Sequence, residues 1–441
     1  MLYHSLENYK NLVSFENAVL KGLSPDGGLY VPERIPKLEH QFIHNISNYD
    51  IDTIAMNIIK PYIGKSIPED FIHNIICDTL NFPFPLQKIH DNIHVLELFH
   101  GPTLAFKDVG ARFMAGCLSY FSKRIGQNVT VLVATSGDTG GAVAQGFHKK
   151  PGIEVIILYP YNGISSLQEQ QITSLGDNIF SVAINGNFDN CQKMVKKAFL
   201  DKKIQKKYLL TSANSINIAR WIPQMFYYFL AYRKIKMMGN TKELIFSVPS
   251  GNFGNICAGM MAEKMGVPIK LFIASTNIND TIPRFLKYEK YHPLPVKKTI
   301  SNAMDISDPS NFSRIWNFLY KKNIFQLKQK LFSYQFTDKN TLDTINIVWK
   351  KYKYMLDPHG SIGYLGLRKY LQEVKDSSSR IAIFLETAHP IKFIDEIPSS
   401  LRGEIIAPDI LKKFLSRKVK KQKISLSNDF NVFRDWLLER R

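Results

Sequence analysis

The chain has 441 residues, 45% hydrophobic and 22% charged, enough apolar material for two or three lobes, with no stretch of about 18 apolar residues that would cross a membrane as a helix. Lysine and arginine number 57 against 38 acidic residues, a net charge of +19. The excess is spread along the chain and reads as a compositional bias, compatible with an anionic small substrate rather than with nucleic acid, although Lys412, Lys413, Arg417, Lys418, Lys420, Lys421 and Lys423 form one dense basic run.

Residues 1–10 are polar and acidic where a secretory signal would place its apolar stretch, so a soluble, cytoplasmic protein is expected. Residues 1–85 read as a mostly helical packing lobe. Ser24-Pro25-Asp26-Gly27-Gly28 is strong turn chemistry, residues 50–63 and 68–79 place Ile, Met and Leu at helical spacing, and Phe82-Pro83-Phe84-Pro85 marks a boundary. Cys77, Cys117, Cys191 and Cys257 are far apart, with no C-x-x-C pair and no histidine at ligand spacing, so buried thiols are expected rather than disulfides or a zinc site.

The stretch Leu96-Glu97-Leu98-Phe99-His100-Gly101-Pro102-Thr103-Leu104-Ala105-Phe106-Lys107-Asp108 begins like the end of a buried strand. It breaks at Gly101-Pro102 and delivers Lys107 to the start of a helix. Apolar neighbours desolvate that amine and favour its neutral, nucleophilic form, as Schiff-base chemistry needs; a surface lysine at a helix start is the alternative.

From residue 93 onward apolar strands (129–134, 153–159, 179–184, 208–212, 244–248, 269–274) alternate with helices, the pattern of a parallel sheet covered on both faces. Ligands bind beyond the carboxyl ends of such strands. Two loops there carry unusual chemistry: Thr135-Ser136-Gly137-Asp138-Thr139-Gly140-Gly141 and Pro249-Ser250-Gly251-Asn252-Phe253-Gly254-Asn255. Each offers free backbone N–H groups at a helix start, fit for an anion, or else is a tight turn that needs glycine. Neither is a dinucleotide or Walker motif. Residues 311–331 read as amphipathic core, and Asp357-Pro358-His359-Gly360 as a turn before a helix, with His359 read as structural. Strand 381–385 ends in Thr387, a hydroxyl aimed at the same cleft or a helix cap. An imine-forming lysine, two anion cradles and a hydroxyl able to meet a ring nitrogen are together the parts of a pyridoxal phosphate site.

On these motifs, with Gly27-Gly28-Leu29-Tyr30, Ser212-Ala213-Asn214-Ser215-Ile216-Asn217 and Thr387-Ala388-His389-Pro390, the chain resembles the threonine synthases that carry an extra N-terminal lobe, over essentially its whole length. The resemblance implies an α/β, parallel-sheet, fold type II pyridoxal phosphate enzyme: an N-terminal lobe (1–85), a lysine-bearing region with the smaller α/β lobe (86–240) and a larger α/β lobe (241–441). The implied reaction turns O-phospho-L-homoserine and water into L-threonine and phosphate. Lys107 would hold pyridoxal 5'-phosphate, Gly251, Asn252, Phe253, Gly254 and Asn255 would wrap its phosphate, and Thr387 would meet its ring nitrogen. Ser136, Gly137, Asp138 and Thr139 would take the substrate carboxylate, and Ser215, Asn217 and Arg220 its phosphate. No metal is implied, and a monomer or small homo-oligomer is expected. Three departures stand out. Asp138 sits where many proteins of this fold carry Asn, so its carboxylate would repel the substrate's unless it points elsewhere or is protonated. Ile391 replaces a common alanine before Lys392, read as a packing change, and Asn255 stands where some relatives have Asp. A dehydratase or β-replacement enzyme on the same cofactor is the competing reading.

Overall fold

The computed structural model describes residues 1–240, 242–374, 380–415 and 423–440. The N-terminal segment packs helices Phe15–Lys21, Ile51–Ile63 and Glu69–Thr79 beside a two-stranded sheet of Tyr3–Ser5 and Tyr30–Pro32. Side-chain caps start two of those helices: Ser14 accepts from Asn17 N, and Asp50 accepts from Thr53 N at 2.7 Å.

Two sheets form the rest. The smaller has five parallel strands in the order Lys423–Ser427, Ile179–Asn185, Ile153–Pro160, Val129–Ala134, Leu209–Thr211. The larger has six, ordered Leu331–Gln335, Ile269–Thr276, Glu243–Pro249, Arg380–Glu386, Ile93–Glu97, Leu86–His90, parallel except for the final hairpin pair. The strands expected from apolar runs are all present. Each sheet also draws strands from both sides of residue 240: Ile93–Glu97 and the edge strand Leu86–His90 join the larger sheet, and the edge strand Lys423–Ser427 joins the smaller.

This order positions the site. Glu243–Pro249, Arg380–Glu386 and Ile93–Glu97 are neighbours and parallel, so their carboxyl ends bring together the 250–255 loop, Thr387 and the loop leading to Lys107. Helix Lys107–Ile125 then packs against Asp138–Phe147, with Gly146 against the backbone of Ala111, where a Cβ would press to within 3.2 Å. That contact carries the 135–139 loop to the same place. In the basic run, Arg417, Lys418, Lys420 and Lys421 lie outside the described residues, while Lys412 pairs with Asp409 at 3.1 Å. Among the described residues no helix is long and apolar enough to cross a membrane.

Candidate active site

The loop before Lys107 is stitched to the segment after strand Arg380–Glu386. Leu98 N donates to Glu386 O (3.0 Å), Phe106 N to Thr387 O (2.9 Å) and His389 N to Leu104 O (3.0 Å). Leu104 takes a left-handed φ of 59°, a strained conformation for a branched residue that the stitching holds in place. Asp108 braces the loop from inside, accepting from Thr103 N at 2.9 Å and Thr103 Oγ1 at 2.6 Å.

Lys107 is the first residue of its helix, and its remaining exposure is to a cavity at the strand ends. Burial pushes its ammonium below the ordinary lysine range; Asp138 opposes this, and the Lys392 and Arg220 cations reinforce it. The same cavity is lined by Ser136, Asp138, Thr139, Ser215, Arg220, Gly251, Asn252, Phe253, Gly254, Asn255 and Thr387.

The 250–255 loop is shaped by backbone demands. Phe253 has φ 59° directly before helix Gly254–Met265, and a Cβ on Gly251 would lie 2.7 Å from Met304 Cα. Asn252 Nδ2 donates to Ser215 Oγ at 2.8 Å and Asn311 Nδ2 to the same oxygen at 3.1 Å, so the Ser215 O–H keeps its own proton to donate. Asn255 Oδ1 accepts from Tyr228 OH at 2.7 Å. In the 135–139 loop, Thr135 Oγ1 accepts from Gly137 N (3.0 Å) and Gly140 N (2.8 Å), and Gly137 has φ 133°.

Two residues expected to meet the substrate do not line the cavity. Asn217 is spent on structure: its Nδ2 donates to Val19 O (2.9 Å) and Ser212 O (3.2 Å), its Oδ1 accepts from Ala219 N (3.0 Å), and it does not line the cavity. Gly137 does not line it either; a Cβ there would overlap the Gln168 amide, so this glycine permits the turn. The difficulty with Asp138 also resolves. Burial alone would raise its carboxyl, but Lys392 at 2.7 Å and nearby Lys107 outweigh that and hold it well below the usual carboxylate range. It is thus an ionised group already paired.

The site roles of two further residues, His359 and Lys392, were not read from the sequence. Lys392 Nζ is fully buried and also donates to Thr103 O at 2.9 Å, a role hidden because its partner lies far away in the chain. His359 lines the cavity, its Nδ1 2.6 Å from Asp357 Oδ1 and its Nε2 accepting from Ala303 N at 3.3 Å. The Asp-x-His spacing at a helix start was the available signal: Asp357 caps helix Pro358–Glu373 and orients the ring. Ile391 packs against Leu104, Leu411 and Phe414, as a packing change requires.

Pyridoxal phosphate can be tested against these residues directly. Around the cavity, the buried Asn255 Nδ2 and Arg220 Nε have no hydrogen-bond partner, leaving donors for an anionic ligand. A desolvated lysine and the Thr387 hydroxyl line the same cavity, so the residues fit the group.

Fold and site together define a parallel-sheet, pyridoxal-phosphate-dependent enzyme, and a family model described as "Pyridoxal-phosphate dependent enzyme" matches residues 80–386. A second, "Threonine synthase N terminus", matches residues 2–80. The chain is 41% identical to the threonine synthase of Serratia marcescens over 93% of each chain, and 42% identical to that of Buchnera aphidicola subsp. Schizaphis graminum over 100% of both. The solved threonine synthase of Escherichia coli superposes with a TM-score of 0.90 at 38% identity over 100% of each chain, and the PLP-bound one of Brucella melitensis with 0.92 at 32% over 99% of each. The chain belongs to the threonine synthase family. Threonine deaminase of Solanum lycopersicum, at 14% identity and a TM-score of 0.56, shares the fold alone.

Proposed function

We infer that the protein is a lyase that converts O-phospho-L-homoserine and water into L-threonine and phosphate. The observation that carries this reading is one cavity holding a desolvated lysine, a glycine-built cradle and a buried guanidinium with a free donor. When bound, pyridoxal phosphate supplies the carbonyl that Lys107 holds and the electron sink that acidifies the substrate's Cα and Cβ protons.

The chain's own residues do the rest. The Gly251–Asn255 backbone N–H groups and Asn255 Nδ2 bind the cofactor's phosphate, with helix Gly254–Met265 starting at that point. The Thr387 hydroxyl meets the ring nitrogen as a neutral partner. Ser136 and Thr139 receive the substrate carboxylate, and Asp138, neutralised by Lys392, holds the loop rather than the ligand. Arg220 and the Ser215 hydroxyl bind the leaving phosphate; burial lowers the Arg220 guanidinium to about 10, and an anion beside it restores the balance. Lys107, its ammonium depressed, moves protons at Cα, Cβ and Cγ in turn before water adds at Cβ. The four cysteines are free, in keeping with a cytoplasmic setting.

The test is product analysis of the purified, cofactor-loaded protein with O-phosphohomoserine, serine and threonine offered separately. Threonine and phosphate in equal amounts from the first, with little turnover of the others, is the expected result. Keto acid and ammonia from serine or threonine as the main products would instead establish the dehydratase.

A further inference from the structure

The N-terminal segment holds a side-chain cluster that the reaction does not use. His73 and Cys77 stand four residues apart on helix Glu69–Thr79, so one face presents both, and Asp52 lies in the first turn of the neighbouring helix Ile51–Ile63. Cys77 Sγ is 3.6 Å from Asp52 Oδ2 and 3.7 and 3.8 Å from the two ring nitrogens of His73, either of which can turn to a metal, and one ligand atom from each of the three residues lies within 4.8 Å of the others. Zinc holds sulfur at about 2.3 Å and nitrogen or oxygen at about 2.0–2.1 Å, which at tetrahedral angles puts such ligands about 3.5 Å apart. Two edges of the required tetrahedron are therefore already within a few tenths of an ångström of their length. The expectation that no histidine stands at ligand spacing overlooked His73, whose four-residue offset from Cys77 becomes proximity only on a helix.

We propose that Asp52, His73 and Cys77 bind one zinc ion, with water in the fourth position. A thiolate, a carboxylate and a neutral imidazole offset the ion's two charges. This mixed sulfur, nitrogen and oxygen set disfavours magnesium and calcium, which take oxygen ligands in greater number. Asp52 and Cys77 are half-buried and His73 is exposed, so an ion can enter and keep a water ligand. On binding, the S–H bond of Cys77 breaks, its proton passes to solvent, and the sulfur's electron pair forms the bond to zinc. The ion ties together two helices, and Glu69–Thr79 supports the lysine-bearing helix: Ile75 fills the space above Gly116, and Arg112 Nε donates to Asp78 O at 2.8 Å. The site thus braces the element that carries Lys107.

Full-length protein, stripped with a chelator and exchanged into metal-free buffer, is titrated with zinc against a chromophoric indicator, and separately with Co²⁺ alone. One equivalent of zinc is expected to bind, with affinity reduced about tenfold or more in His73→Ala and in Cys77→Ser. Co²⁺ is expected to give a near-ultraviolet thiolate charge-transfer band that is missing in Cys77→Ser. Threonine formation by the stripped, cofactor-loaded protein separates this outcome from that of the proposed reaction. Absence of a stoichiometric zinc in the wild type, or equal binding in the wild type and Cys77→Ser, overturns the site.

Discussion

Lys392 Nζ lies 2.7 Å from Asp138 Oδ1, and this buried ion pair joins the start of the Asp138–Phe147 helix to the turn after strand Arg380–Glu386. Gln168 Nε2, from helix Ser166–Thr173, adds a bond to the same carboxylate oxygen at 3.1 Å, and Lys392 also reaches Thr103 O, so four segments meet at one charge pair. Removing only one partner of such a pair strands a charge in low dielectric, whereas removing both does not. Lys392→Met is therefore expected to destabilise the protein by about 3–5 kcal/mol in chemical denaturation. It should also leave Asp138 with Lys107 as its main counter-charge, raising the Lys107 ammonium and moving the activity profile to higher pH. The double variant with Asp138→Asn should recover most of the stability. If the double variant is as unstable as Lys392→Met, packing rather than charge governs this junction.

Arg220 is buried, its Nη1 donating to Ala213 O at 2.6 Å and its Nε lacking a partner. A guanidinium held that way is unfavourable for folding and suited to a bound phosphate, the trade seen where function and stability compete. Arg220→Met should lower kcat/KM for O-phosphohomoserine by about a hundredfold, equivalent to about 3 kcal/mol, while thermal stability holds or rises. Loss of activity accompanied by a large drop in melting temperature would assign Arg220 to structure.

Much of this site was legible because its parts are local in sequence. The 135–141 and 249–255 loops each follow a continuous apolar strand and open a helix, and Lys107 follows a Gly-Pro break, so motif and element coincide within ten residues. Strand order was not legible. Leu86–His90 and Leu331–Gln335 sit at the sheet's edges, half-exposed and without a continuous apolar run, and a half-buried strand there resembles a loop or helix in composition. The Asp138–Lys392 pair and the His359 position depend on that order, since Arg380–Glu386 inserts between strands formed far earlier in the chain.

Asn217 offers a way to tell a binding residue from a structural one. Its side chain satisfies two carbonyls and one helix-start N–H, and it ties helix Phe15–Lys21 to helix Ile218–Trp221 through Val19. Asn217→Ala should cost about 2 kcal/mol through the lost cap and the stranded carbonyls. KM for the phosphorylated substrate should stay within about twofold of wild type, below about 0.4 kcal/mol. A selective rise in KM without a stability change would return Asn217 to the phosphate site.

The turn after Thr387 carries a built-in acid sensitivity. His389 Nδ1 accepts from Ile391 N at 3.1 Å, which requires the neutral ring, and burial first, then the neighbouring His100, pushes its pKa down to about 4 against the opposing pull of Glu97 and Asp357. The unfolded chain's histidine titrates near 6.5. A base depressed in the folded state adds stability that is present above the unfolded pKa and is lost as pH falls through the folded one, here between about 6.5 and 4, by about 3 kcal/mol in all. Glu386 runs the opposite way: burial, with Asp357 beside it, raises its carboxyl well above the ordinary range, so its contribution is full at low pH and declines as pH rises. His389→Asn isolates the histidine, because an amide oxygen can still accept from Ile391 N without titrating. Denaturation midpoints measured from pH 7 to pH 4 should fall steeply in the wild type and distinctly less in His389→Asn; parallel curves for the two proteins would place the acid sensitivity in another group.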